Sequence, residues 1–129
     1  MMKQILLSDD EETIRDLCKQ LLNDKFTSYE VEVLPDGNSL AGRLEEDVSD
    51  VALIFTDNSM PPGPTGSEII KRYNKDLRFS RIPFILCYGG DRNIGEEAVR
   101  NGAFDFIEKP FNFQQLISVV QKALDKYKE

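Results

Sequence analysis

Five short apolar runs alternate with amphipathic stretches along the chain, the pattern of a repeated strand–helix unit. The runs predict strands at about Gln4 to Leu7, Tyr29 to Leu34, Val51 to Thr56, Pro83 to Tyr88 and Phe104 to Ile107. Ile14, Leu17, Cys18, Leu21 and Leu22 fall at i, i+3, i+4, i+7 and i+8, which makes one apolar stripe on a first helix. Phe113, Leu116, Ile117, Val120, Leu124 and Tyr127 repeat that spacing in a last helix, and Asn112 is placed to cap it. Leu40, Ala41, Leu44 and Val48 predict a second helix, and Ile69, Ile70 and Tyr73 a third. Ile94, Ala98 and Val99 predict a short fourth, ended by Gly102.

The strand patterns also predict their order. Strands covered on both faces read as continuous apolar runs, whereas edge strands alternate. Strands one, three and four are continuous, while Tyr29-Glu30-Val31-Glu32-Val33 and Phe104-Asp105-Phe106 alternate, which puts strands two and five at the edges. The order 2-1-3-4-5 satisfies this, and right-handed crossovers then lay helices on both faces. The expectation is a three-layer α/β (βα)5 domain, doubly wound about a parallel sheet and spanning residues 1–129. In such a sheet a ligand site lies at the carboxyl ends of strands one and three, beside the point where the order reverses.

That edge is acidic. Strand one runs into Ser8-Asp9-Asp10-Glu11-Glu12 and strand three into Thr56-Asp57-Asn58-Ser59-Met60-Pro61. Asp9, Asp10 and Asp57 would converge there, and unneutralised carboxylates at close range repel. A hard dication resolves the repulsion, since magnesium prefers one or two carboxylates with water and a phosphate oxygen. Strand five ends in Phe106-Ile107-Glu108-Lys109-Pro110-Phe111, which brings an ammonium with three donors to the same edge. Each residue also has a plainer role: Asp9 and Asp10 as helix-start acids, Asp57 as a strand-end turn residue, Lys109 as a solvated lysine. Their joint placement is what favours chemistry.

Composition narrows the field. The 129 residues, 40% hydrophobic and 30% charged, suit one sizeable core. The longest apolar run, Val51 to Phe55, is far short of the roughly 20 residues of a membrane span, and the N-terminus lacks the pattern of a secretory signal. A cytoplasmic protein without membrane contact is expected. A formal charge of -7 argues against direct binding of nucleic acid, which needs a basic footprint. The chain has no histidine, which excludes Ser-His-Asp and Cys-His catalysis and removes the usual zinc and haem ligands. Cys18 and Cys87 show no metal-ligand spacing and are expected to be reduced core thiols.

In their order, the acidic pair Asp9-Asp10, Asp57 in an Asp-x-x-Met-Pro context, the aromatic Phe106 and the Lys109-Pro110 dipeptide resemble the receiver domains of bacterial response regulators, across essentially the whole chain. The resemblance implies a flavodoxin-like fold of the chemotaxis-regulator kind, working in two-component phosphorelay signal transduction. It implies that Asp57 is the nucleophile, taking a phosphoryl group from the phosphohistidine of a sensor histidine kinase or histidine phosphotransfer protein. Asp10 and Asp57 would bind Mg2+ or Mn2+ directly and Asp9 through water, with the Ser59 carbonyl completing the protein ligands. Lys109 would pair with the transferred group. Such a phosphoprotein is not an enzyme beyond self-phosphorylation and self-dephosphorylation. It would signal through helix four, strand five and helix five to a downstream protein or output domain, with phosphorylation-linked homodimerisation a further family expectation.

Two features depart from the family pattern. At the end of strand four, where the family carries a Thr or Ser whose hydroxyl binds the phosphoryl oxygen and couples phosphorylation to movement of the strand-five aromatic, counting from Pro83 gives Tyr88, and sliding the register by one gives Cys87. A tyrosine hydroxyl sits at the far end of a rigid ring and a thiol is a weak donor, so neither reproduces the usual contact. Tyr88 packing outward is the plain alternative. The second departure is the run Pro62-Gly63-Pro64-Thr65 before Gly66, one residue longer than usual and stiffened by proline. The rival reading is a receiver-like protein-binding module whose signalling does not depend on phosphorylation. An aspartyl phosphatase wants a second acid two residues after Asp57, where this chain has Ser59, and a flavin carrier would be repelled by Asp9 to Glu12.

Overall fold

The computed structural model describes residues 2–128. Strands and helices alternate throughout: β1 (Lys3–Ser8), α1 (Glu12–Lys25), β2 (Tyr29–Leu34), α2 (Gly37–Leu44), β3 (Val51–Asp57), α3 (Gly66–Tyr73), a 3-10 turn (Leu77–Phe79), β4 (Phe84–Tyr88), α4 (Arg92–Arg100), β5 (Asp105–Glu108) and α5 (Phe113–Lys126). The strands form one parallel sheet in the order β2-β1-β3-β4-β5, the doubly wound arrangement that strand alternation predicts.

Because strand side chains alternate, β1, β3 and β4 feed two cores. On one face Leu6, Ile54 and Leu86 pack with Leu40 and Leu44 of α2, Ile69 and Ile70 of α3 and Ala98 of α4. On the other, Ile5, Leu53, Phe55 and Ile85 pack with Cys18 and Leu22 of α1 and Leu116 and Val120 of α5. Both cysteines are free and buried in this second core. Truncating a central side chain such as Ile54 to Ala would cost about 2–5 kcal/mol through the cavity left behind.

Element boundaries shift where backbone chemistry dictates. β4 starts at Phe84 because Pro83 has no amide, though its carbonyl still accepts from Ile54 N at 3.0 Å. β3 extends through Asp57, and β5 is displaced by one residue to Asp105–Glu108. α2 ends at Leu44, so Val48 lies beyond the helix, where it is buried and its carbonyl accepts from Val51 N. Leu17, Val99 and Phe113 are more than two-fifths exposed although the stripes include them. Asn112 caps α5 as its position predicts, its side chain accepting from Gln115 N within a capping box, and Gly102 follows α4 with φ 110°. Among the described residues no helix is long and apolar enough to cross a membrane.

Candidate functional site

Sheet register assembles the acids. Ser8 at the end of β1 lies opposite Thr56 of β3, so the next residues along, Asp9 and Asp57, emerge together. A carboxylate oxygen from each of Asp9, Asp10 and Asp57 lies within 4.8 Å of the others. Asp9 and Asp57 are buried whereas Asp10 faces solvent. Lys109, one residue past β5, reaches back between them: its Nζ donates to Asp9 Oδ2 and Asp57 Oδ2, both at 3.2 Å, and lies 3.9 Å from Glu11 Oε1. Its backbone N–H donates to Tyr88 O at 2.7 Å, which fixes where the side chain starts.

The remaining acceptors are engaged too. Asp57 Oδ1 accepts from Asn58 N at 2.9 Å, and Asp9 Oδ1 accepts from Glu11 N at 2.9 Å. Asp9 thus holds the turn before α1; the N-cap is Glu11, which makes no side-chain cap bond. Ser59 is exposed on the loop that leaves β3.

Burial, then the neighbouring Asp9 charge, push the Asp57 carboxyl up to about 6, against the pull of Lys109. Burial by itself would lower Lys109, but Asp57 and Asp9 outweigh it and hold the ammonium above the ordinary lysine value. One ammonium thus faces three carboxylates. The donor set is all oxygen and carries surplus negative charge in a partly desolvated mouth, which fits a hard divalent cation. Burial pushes the Cys87 thiol up as well, and Cys18 to about 11, so neither offers a reactive thiolate.

Comparison with known proteins decides the family. Residues 5–121 match the response regulator receiver domain. The chain belongs to that family. It is a receiver domain of the two-component response regulators and is similar to the C4-dicarboxylate transport transcriptional regulatory protein DctD of Pseudomonas aeruginosa, 32% identical over 95% of this chain and 25% of that protein. It is 35% identical to a putative NtrX-like response regulator of Rickettsia typhi, over 94% of this chain and 25% of that one. The chain therefore spans about a quarter of the length of these relatives. Among solved structures, a receiver domain protein from Clostridium thermocellum superposes with a TM-score of 0.83 at 26% identity, covering 97% of this chain and 96% of that one.

Tyr88 does not pack outward: it is 1% exposed, on the α4 face of the sheet, its ring 5.8 Å from that of Phe106 at 52°. Its hydroxyl is, among the described residues, the buried side-chain polar atom without a hydrogen-bond partner. Gly95 of α4 makes room, since a Cβ there would stand 2.6 Å from both rings. Phe106 is partly buried, with the Arg92 guanidinium 5.5 Å from its ring centre. Cys87 pairs with Asp57 in the sheet and lies on the α1–α5 face beneath it, fully buried. Neither Tyr88 nor Cys87 places a hydroxyl beside Asp57.

The long loop after Asp57 docks on α2, with Gly37 N donating to Met60 O at 2.8 Å and Asn38 N to Pro62 O at 3.0 Å. Sequence reasoning did not find the role of Asn58 and Ser67, whose side chains join at 2.7 Å. An Asn after a strand-end Asp carries no specific signal, because its partner is chosen by how α3 packs.

Proposed function

We propose that this receiver domain takes a phosphoryl group on Asp57 from the phosphohistidine of a sensor histidine kinase or histidine phosphotransfer protein. The observation that carries the reading is the meeting of Asp57 with Asp9, Asp10 and Lys109 at one sheet edge. An Asp57 oxygen attacks phosphorus, the P–N bond breaks with its electron pair going to the imidazole nitrogen, and an acyl phosphate forms. Asp9, Asp10, Asp57 and the Ser59 carbonyl would hold Mg2+ or Mn2+, which when bound supplies positive charge to the acids and the phosphoryl oxygens. Lys109 supplies a mobile ammonium for those oxygens, already aimed between Asp9 and Asp57. Most of the work is positioning and charge neutralisation, so no general base is needed. The domain is then a phosphoacceptor with at most self-phosphorylation and self-dephosphorylation activity.

The donor must cover the mouth of the site. An apolar groove of Ile14, Leu17, Cys18, Pro110, Phe111 and Phe113 opens beside Lys109, and its exposed Leu17 and Phe113 support docking there. Output would leave through α4, β5 and α5, to a downstream protein, an output domain or a second copy. Phe106, between Tyr88 and Arg92, lies on that path.

Intact mass after incubation with magnesium and acetyl phosphate tests the acceptor role. One added phosphoryl mass is expected, absent from Asp57→Asn and from the magnesium-free sample. No gain in a protein that still binds magnesium would point instead to a binding module that signals without phosphorylation.

A further inference from the structure

The first four amides of a helix lack helical partners. In α3 all four are satisfied within the protein. Thr65 N donates to Glu68 Oε1 at 3.0 Å and Glu68 N to Thr65 Oγ1 at 3.1 Å, the two halves of a capping box. The two between them are served from outside the helix by one residue: Gly66 N donates to Asn58 O at 2.9 Å and Ser67 N to Asn58 Oδ1 at 3.0 Å. Ser67 Oγ adds a second bond to the same Oδ1 at 2.7 Å. Asn58 N meanwhile reaches Asp57 Oδ1 at 2.9 Å and Cys87 O at 2.8 Å.

Asn58 therefore ties the Asp57 carboxylate, β4 and the start of α3 together. The approach is close enough that a Cβ on Gly66 would stand 2.6 Å from Asp57 O. Two residues further on, Met60 O is fixed by Gly37 N of α2 at 2.8 Å. Ser59 is the single residue between these two anchors, so its peptide has little freedom to turn.

We propose that Asn58, locked by Ser67, is a positioning residue that fixes the Asp57 carboxylate and the Ser59 carbonyl for a divalent cation. This rests on the metal-dependent acceptor reading above. A helix cap alone would raise fold stability and leave cation affinity unchanged. Groups that orient metal ligands instead change affinity, by about 10–100-fold when lost.

The test is a titration of the metal-free chain with MgCl2, followed by the amide NMR signals of Asp57, Asn58 and Ser59. It compares wild type, Ser67→Ala, Ser67→Thr, Asn58→Ala and the Asn58→Ala/Ser67→Ala double variant, with metal-free melting temperatures alongside. Ser67→Ala should weaken magnesium by about tenfold and Ser67→Thr should restore it. The double variant should bind no more weakly than Asn58→Ala, because the hydroxyl acts only through that carboxamide. If Asn58→Ala does not fold, the Ser67→Ala and Ser67→Thr pair still decides. Wild-type affinity in Ser67→Ala, whatever its melting temperature, overturns the inference and leaves a plain cap. Failure of wild type itself to bind magnesium overturns the metal reading and this inference with it.

Discussion

Asp57 sits under two opposed influences, burial beside Asp9 and the bond from Lys109, and burial prevails, its carboxyl lying at about 6. A folded value above the unfolded one means that the folded state binds the extra proton between about pH 4 and pH 6, so metal-free stability falls as pH rises through that window. Asp57→Asn removes the titration while keeping the shape. Metal-free Asp57→Asn should be more stable than wild type at pH 7.5 by about 1–3 kcal/mol, and the gap should close towards pH 4. Urea denaturation across that range measures it; a less stable variant at pH 7.5 would show that the Lys109 bond dominates. Tyr88 presents a neutral version of the same problem, a buried hydroxyl without a partner. Because such a group costs about 1–3 kcal/mol, Tyr88→Phe should raise stability by about 1 kcal/mol. A loss in calorimetry would mean that an ordered water serves the hydroxyl.

At the scale of elements, α4 is shaped by what it covers. Alanine is normally favoured over glycine inside a helix by up to about 1 kcal/mol. At Gly95 the sign should reverse, since the new methyl would meet the Tyr88 and Phe106 rings. Gly95→Ala should destabilise by about 1–3 kcal/mol through overpacking, and the loss should shrink in a Tyr88→Ala background. Equal losses in both backgrounds, by chemical denaturation, would remove Tyr88 from the account. The helices also show what periodicity can and cannot tell. Leu22 and Leu116 are fully buried, whereas Leu17 and Phe113 of the same stripes are exposed. A repeat of 3.6 finds an apolar face but not which part of it is covered, because that depends on what lies alongside, here the open groove beside Lys109.

For the whole molecule, a net charge of -7 and an acidic sheet edge predict that divalent cations stabilise the fold. Magnesium at a hundredfold its dissociation constant should add about 2.7 kcal/mol to stability. The melting temperature of wild type should therefore rise on adding MgCl2 at constant ionic strength, with little rise in Asp57→Asn. Equal rises would place the bound cation elsewhere on the acidic surface. The sheet order and the convergence of Asp9, Asp10, Asp57 and Lys109 were legible in the sequence, because strand burial is written in local alternation and a parallel sheet brings strand ends to one edge. That Tyr88 turns under α4 against Phe106, and that Asn58 is held by Ser67, was decided only by the tertiary structure. Both depend on space and hydrogen-bond partners supplied by elements distant in the chain, such as the gap at Gly95, which no local pattern of apolar and polar residues records.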